Sequence, residues 1–168
     1  MINLDKGFTR TLIEQSKVAG LLRNEVAYLL ATSAWETNHT MKPVREAYWL
    51  SENWRKNNLR YFPWYGRGFV QLTWERNYKR ADDELDLGGA LVKNLDLAMD
   101  GEIAAKIAIK GMVEGWFTGK KLSDYITLRK SDFVGARRII NGTDRAAEIA
   151  QLAVAYDAAL KAEGYGEL

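Results

Sequence analysis

Residues 25–36 (EVAYLLATSAWE) are apolar on nearly every side when wound as a helix. Such a helix cannot rest on a surface with one face in water; other elements must enclose it. Asn24 has the side chain of an N-cap, able to accept a hydrogen bond from a free N–H of the first turn. Pro43 is expected to stop any continuation, because its ring denies a helical hydrogen bond and collides with the preceding turn.

The flanking sequence supplies partners for this helix. An amphipathic helix is expected over about residues 8–18 and another over about 74–84. In residues 102–117, Ile103, Ile107 and Trp116 fall beside Ala104, Ala108 and Met112 in adjacent i, i+4 rows. Ser131 is expected to cap a short helix ending at Asn141-Gly142, and Thr143 or Asp144 to open a last one. The apolar face of that last helix comprises Ile149, Leu152, Ala153, Tyr156 and Leu160. Residues 61–73 (YFPWYGRGFVQLT) read as extended structure with a turn, punctuated by Gly66 and Gly68. The expectation is a mainly α fold with a small β-hairpin, one domain over residues 1–168, with no repeat and no linker.

Composition narrows the chemistry. With no cysteine there is no disulfide, thiolate nucleophile or cysteine-bound zinc, and with His39 as the sole histidine no site can use two imidazoles. Carboxylates, hydroxyls and amides must carry any reaction, and no cofactor or metal is expected. Residues 1–17 (MINLDKGFTRTLIEQSK) lack the continuous apolar run of a signal peptide, and no stretch of about 18 apolar residues suits a membrane span.

Net charge is +2 but unevenly placed: residues 42–80 hold nine Lys/Arg against three Asp/Glu, and residues 81–102 hold one against seven. A basic surface suits an anionic polymer, an anionic membrane or nucleic acid. Eleven of the nineteen Phe, Trp and Tyr residues fall between Trp35 and Tyr78, interleaved with Arg, Asn and Glu. Flat rings beside polar side chains suit a groove for sugar faces or unstacked bases.

Glu36 closes a turn containing Leu29, Leu30, Ala31, Ala34 and Trp35, so its carboxyl should emerge at the edge of the core. Partial burial disfavours the charged form, and a retained proton is what a general acid needs. Glu46 lies ten residues on, beyond Pro43, where the chain can double back to face Glu36. Two carboxyls in unlike environments are the minimum set for glycoside hydrolysis.

Three segments resemble glycoside hydrolase family 19, in its phage and prophage endolysin branch more than in its plant chitinases: AYLLATSAWETNHTMKPVREAYWLSE, FPWYGRGFVQLTWERNY and ARRIING. They fall in family order, and GRGFVQLTWERNY is the most specific. The resemblance implies a lysozyme-like helical fold with a cleft between lobes. It also implies hydrolysis, with inversion, of β-1,4 bonds beside N-acetylhexosamines. Glu36 sits where the family has its proton donor, although Trp35 replaces the histidine usual before it, and Phe62 stands where the family has tyrosine. Glu46 matches the endolysins' next glutamate; Glu52 is the alternative, and Asn57 and Asn58 occupy the region where chitinases have their second glutamate.

Further carry-over assigns Thr73 to holding the attacking water, and Gln71 and Asn77 to the cleft. Tyr65 and Arg67 frame the turn as binding residues, and Asn141 takes the acetamido group. His39, one helical turn after Glu36, reads from its position as a hydrogen-bonding cleft residue or a helix-end side chain.

The resulting expectation is a monomeric muramidase cutting the N-acetylmuramic acid–N-acetylglucosamine bond of bacterial peptidoglycan, without a separate wall-binding module. It would accumulate in the host cytoplasm and reach the periplasmic wall through a separately supplied holin-type pore. The alternatives are a chitinase, a lytic transglycosylase leaving 1,6-anhydro ends, a non-catalytic wall-binding module, and a nucleic-acid binder; nucleic acid is not the expected partner.

Overall fold

The structure is a computed structural model that describes residues 1–167. It is mainly α-helical. The apolar segment forms α2 (Arg23–Glu36), in which every residue from Val26 to Ala34 is buried. Full burial of Leu29 and Leu30 contributes about 1.5–3 kcal/mol each. The enclosing elements are α1 (Thr9–Val18), α6 (Gly101–Glu114) and α7 (Ala146–Ala162). α7 packs along α2 through Ile149, Ala153, Tyr156 and Leu160, and Leu152 is only partly buried.

The ends of α2 differ from expectation. Asn24 lies inside the helix, and Leu22 occupies the cap position; its N–H donates to the Glu25 carboxylate at 2.9 Å. The Asn24 amide instead donates to the Thr127 carbonyl (2.7 Å) and the Ser131 hydroxyl (2.9 Å), tying the hairpin β3 (Ile126–Thr127)–β4 (Lys130–Ser131) to the helix. Pro43 is not what stops α2. The helix ends at Glu36, and Asn38, His39 and Met41 then take positive φ, with the His39 N–H donating to the Ala34 carbonyl at 2.7 Å. This left-handed exit satisfies helix-end carbonyls before proline is reached.

A second, smaller core of Leu72, Tyr78, Ala81, Leu91, Ala98, Ile107 and Trp116 forms around α4 (Glu75–Glu84) and α5 (Ala90–Lys93), with α6 serving both cores. Asp100 caps α6 by accepting from the Ile103 N–H at 3.1 Å, and α6 stops at Gly115 in the left-handed region. Ser131 lies in β4 and caps no helix; Asp132 accepts from the Gly135 N–H (2.8 Å) ahead of a 3-10 turn at Gly135–Ile139. The last helix begins later than expected, at Ala146.

Between the two cores runs a small antiparallel sheet. β1 (Val44–Arg45) pairs with β2 (Arg67–Gly68) in the register Val44↔Gly68 and Arg45↔Arg67, and Arg67 bridges onward to Leu72. The extended segment expected over 61–73 thus exists as a tight turn, but its first strand partner comes from residues 44–45. The short helix α3 (Glu52–Asn58), capped by the Ser51 hydroxyl, fills the connection between the strands. Among the described residues no helix is long and apolar enough to cross a membrane.

Candidate active site

The end of α2, the small sheet and the turn before α7 converge on one hollow of about 350 Å³. Glu36, Glu46, Gln71, Thr73, Asn77 and Asn141 all line it, with Trp74, Val70, Phe117 and Ile140 supplying apolar wall. Six of the nine residues singled out from sequence therefore meet in one place, although they span more than half the chain.

Glu36 reaches the hollow because α2 delivers it at its last residue, where the packed helix gives way to the left-handed exit. Its carboxylate is 21% exposed and accepts from the Arg137 guanidinium at 3.1 Å. Arg137 is itself 2% exposed and also donates, through Nε, to the Asp144 carbonyl at 2.7 Å. The expectation of a glutamate among apolar neighbours is therefore only half of the arrangement. Arg137 is the functional residue that sequence reasoning missed. It lies inside the ARRIING segment, and an arginine pair (Arg137-Arg138) set between Ala136 and Ile139 in an otherwise apolar run was the available signal.

Glu46 extends the β1–β2 ladder by one step, its N–H donating to the Gly66 carbonyl at 2.7 Å. Its carboxylate turns back onto the same residue, accepting from the Gly66 N–H at 2.9 Å and from the Tyr61 hydroxyl. Burial, reinforced by this bond to Glu46, pushes the Tyr61 phenol up to about 12, so it remains a donor throughout the neutral range. Two donors occupy part of a carboxylate that can accept about four bonds, leaving capacity for a water.

The turn that follows Gly68 places the polar wall. Gln71 stands at φ +64, and its amide donates to the Val44 carbonyl at 3.1 Å, pinning the turn to β1. Thr73 donates its hydroxyl proton to the Gln71 carbonyl at 2.9 Å, leaving its oxygen lone pairs free to accept from water. Asn77 donates to the Thr73 carbonyl at 3.0 Å and is buried, so it positions Thr73 while contributing an edge to the hollow. The two glycines of the turn meet different needs. Gly68 takes a positive φ of 100°, whereas Gly66 does not; a Cβ at Gly66 would sit 2.6 Å from Gln71 Oε1. Position 66 therefore requires absence of bulk, not a left-handed backbone.

Tyr65, Arg67 and His39 are not brought to this hollow. Arg67 is buried, stacked on the Tyr65 ring at 3.8 Å, and bonded to the Pro63 carbonyl (3.0 Å), the Tyr78 hydroxyl (2.9 Å) and Asp96 (3.1 Å). Tyr65 donates its hydroxyl to Glu52 at 3.0 Å. These two residues brace the base of the sheet, which is the physical reason that the turn keeps its shape. Glu52, the alternative second carboxylate, faces this separate depression with Arg55 3.3 Å away. His39 is exposed in the exit from α2, its ring edge-on to Trp35 at 6.4 Å.

The hollow thus has a carboxylate on each of two independent elements, a hydroxyl with unused acceptor capacity, and an exposed amide at Asn141. Such a set can protonate, accept a proton and orient a water. No protein-family model matches the chain, and no curated protein matches it.

Proposed function

We propose that the chain is a lysozyme-like glycoside hydrolase acting on β-1,4-linked N-acetylated glycan, with bacterial peptidoglycan as its substrate and the bond after N-acetylmuramic acid as its target. The observation that carries this reading is the meeting of Glu36, Glu46 and Thr73 around one hollow of about 350 Å³. It is further supported by the resemblance of the segments that supply these residues to family 19 endolysins.

In the proposed inverting reaction, Glu36 gives its proton to the glycosidic oxygen as the C1–O bond breaks. A water held by Thr73 and Glu46 forms the new bond to C1 from the opposite face and passes its proton to the Glu46 carboxylate. Arg137 holds the Glu36 carboxyl in place through its bond at 3.1 Å. The Gly66 N–H and the Tyr61 hydroxyl fix the Glu46 carboxylate. Asn141, exposed on the rim, can both donate to and accept from an acetamido group.

Digestion of purified peptidoglycan by the protein and by Glu36→Gln tests the reading. The parent should release new reducing ends carrying N-acetylmuramic acid of inverted configuration, and the folded Glu36→Gln variant should release none. Undiminished release by the variant removes Glu36 as the acid. Release of 1,6-anhydro ends would instead identify a lytic transglycosylase, and a preference for chitin a chitinase.

A further inference from the structure

One cation beside the hollow has no part in the proposed hydrolysis. Trp74 lines the hollow, is 41% exposed, and packs against Tyr61 with ring centroids 4.8 Å apart. The Arg60 guanidinium stands 5.6 Å from the Trp74 ring centre. Arg60 is exposed and, among the described residues, has no acidic partner within ion-pair distance. A depression of about 310 Å³ lies against Trp74, lined by Trp74, Glu75 and Arg76; Glu75 is already paired with Lys79 at 3.1 Å, while Arg76 has no such partner among the described residues.

We propose that Arg60 and Trp74 form a specificity site for a carboxylate-bearing glycan, in which a sugar face lies on the exposed indole and a substituent carboxylate meets the guanidinium. The inference rests on the glycan-hydrolase reading and deepens it by naming the charge of the substrate. An aromatic face suits the apolar face of a pyranose. A guanidinium held over a ring is partly ordered before it binds, and its planar donor fork matches a carboxylate. The chemical class is a polysaccharide with acidic substituents, such as the stem peptides of peptidoglycan. A neutral N-acetylglucosamine polymer has nothing for Arg60 to bind.

The test measures binding in a Glu36→Gln background, so that the polymer is not consumed. Purified sacculi are compared with the same sacculi after their free carboxyls have been capped as neutral amides. Arg60→Gln should weaken binding to native sacculi about two- to fivefold, as expected for an exposed ion pair, and leave binding to capped sacculi unchanged. Arg60→Lys should recover part of the loss, and added salt should shrink the difference. Equal binding of Arg60→Gln and its parent to native sacculi, an equal loss on capped sacculi, or no binding of the parent to sacculi each overturns the proposal.

Reducing-end release by the protein with Glu36 intact separates the two readings. Arg60-dependent binding without release leaves this site standing and removes the hydrolase. Release without Arg60 dependence does the reverse.

Discussion

Arg137 and Glu36 are 101 residues apart in the chain and 3.1 Å apart in the fold. The guanidinium belongs to the 3-10 turn before α7, the carboxylate to the last residue of α2, and their bond closes one wall of the hollow. Because the same guanidinium also holds the Asp144 carbonyl, the turn that carries Asn141 and the helix that carries Glu36 are fixed to each other by one side chain.

Replacing Arg137 with methionine leaves the Glu36 carboxylate without its cation and the Asp144 carbonyl without its donor. Removing one member of such a pair is strongly destabilising; with Glu36 21% exposed, the expected loss is about 2–4 kcal/mol in urea unfolding at pH 7. Arg137→Lys should recover less than half of this, since an ammonium cannot span both acceptors with a fixed fork. An unchanged unfolding midpoint for Arg137→Met would show that the pair contributes no stability.

Tyr61→Phe removes one of two donors to Glu46 and retains the ring against Trp74. A carboxylate that loses a donor is held less rigidly toward the water it must receive a proton from. On the proposed mechanism, kcat should fall about three- to tenfold, with little change in KM. Equal kcat for the two proteins would detach Tyr61 from catalysis.

Gly66→Ala should separate activity from stability. Its Cβ meets Gln71 Oε1 at 2.6 Å and Gln71 Cβ at 3.1 Å, so Gln71 must move and release the Val44 carbonyl. A loss of about tenfold or more in kcat, with at most about 1–3 kcal/mol lost in stability, is expected from overpacking at this position. Comparison of turnover and thermal unfolding for the same preparation decides the point.

Asp96 ties the base of the sheet to the acidic stretch over residues 81–102. Partial burial pushes its carboxyl upward, but Arg45 at 3.2 Å and Arg67 at 3.1 Å outweigh it and hold the group below its usual value. A carboxyl depressed by folding adds stability that is fully present above its unfolded value and vanishes as pH falls through the folded one. Because Asp96 is half-exposed, the contribution is at most about 1 kcal/mol. Asp96→Asn should therefore lower stability slightly at pH 7 and not at pH 2. A deficit of equal size at both values would assign the effect to packing instead.

The sequence exposed the parts of this protein whose physics is local. The apolar wheel of residues 25–36, the face of α7, that of α6 as far as Met112 and the tight turn at Gly68 follow from periodicity and residue type, and the structure has them; Trp116 falls beyond the end of α6. What it concealed depends on distant partners. Asn24 has the chemistry of a cap, yet a hairpin a hundred residues away claims its amide. Pro43 has the chemistry of a helix stop, but the left-handed residues before it act first. Tyr65 and Arg67 sit in a motif with the cleft residues, but successive side chains on a strand point to opposite faces; Arg67 turns toward Asp96 and Tyr78, and Tyr65 toward Glu52. Arg137 escaped notice because its partner is set by the packing of α7 on α2, which no local pattern encodes.

The smaller core has a consequence reaching beyond its size. Glu36 is anchored in one body of packed side chains, whereas Thr73 and Asn77 are anchored in the other, joined to it through α6. Their spacing is thus a property of neither half alone, and a slight hinge-like drift between them would widen the gap while every helix stayed intact. Chemistry at this hollow is hostage to the alignment of two foundations.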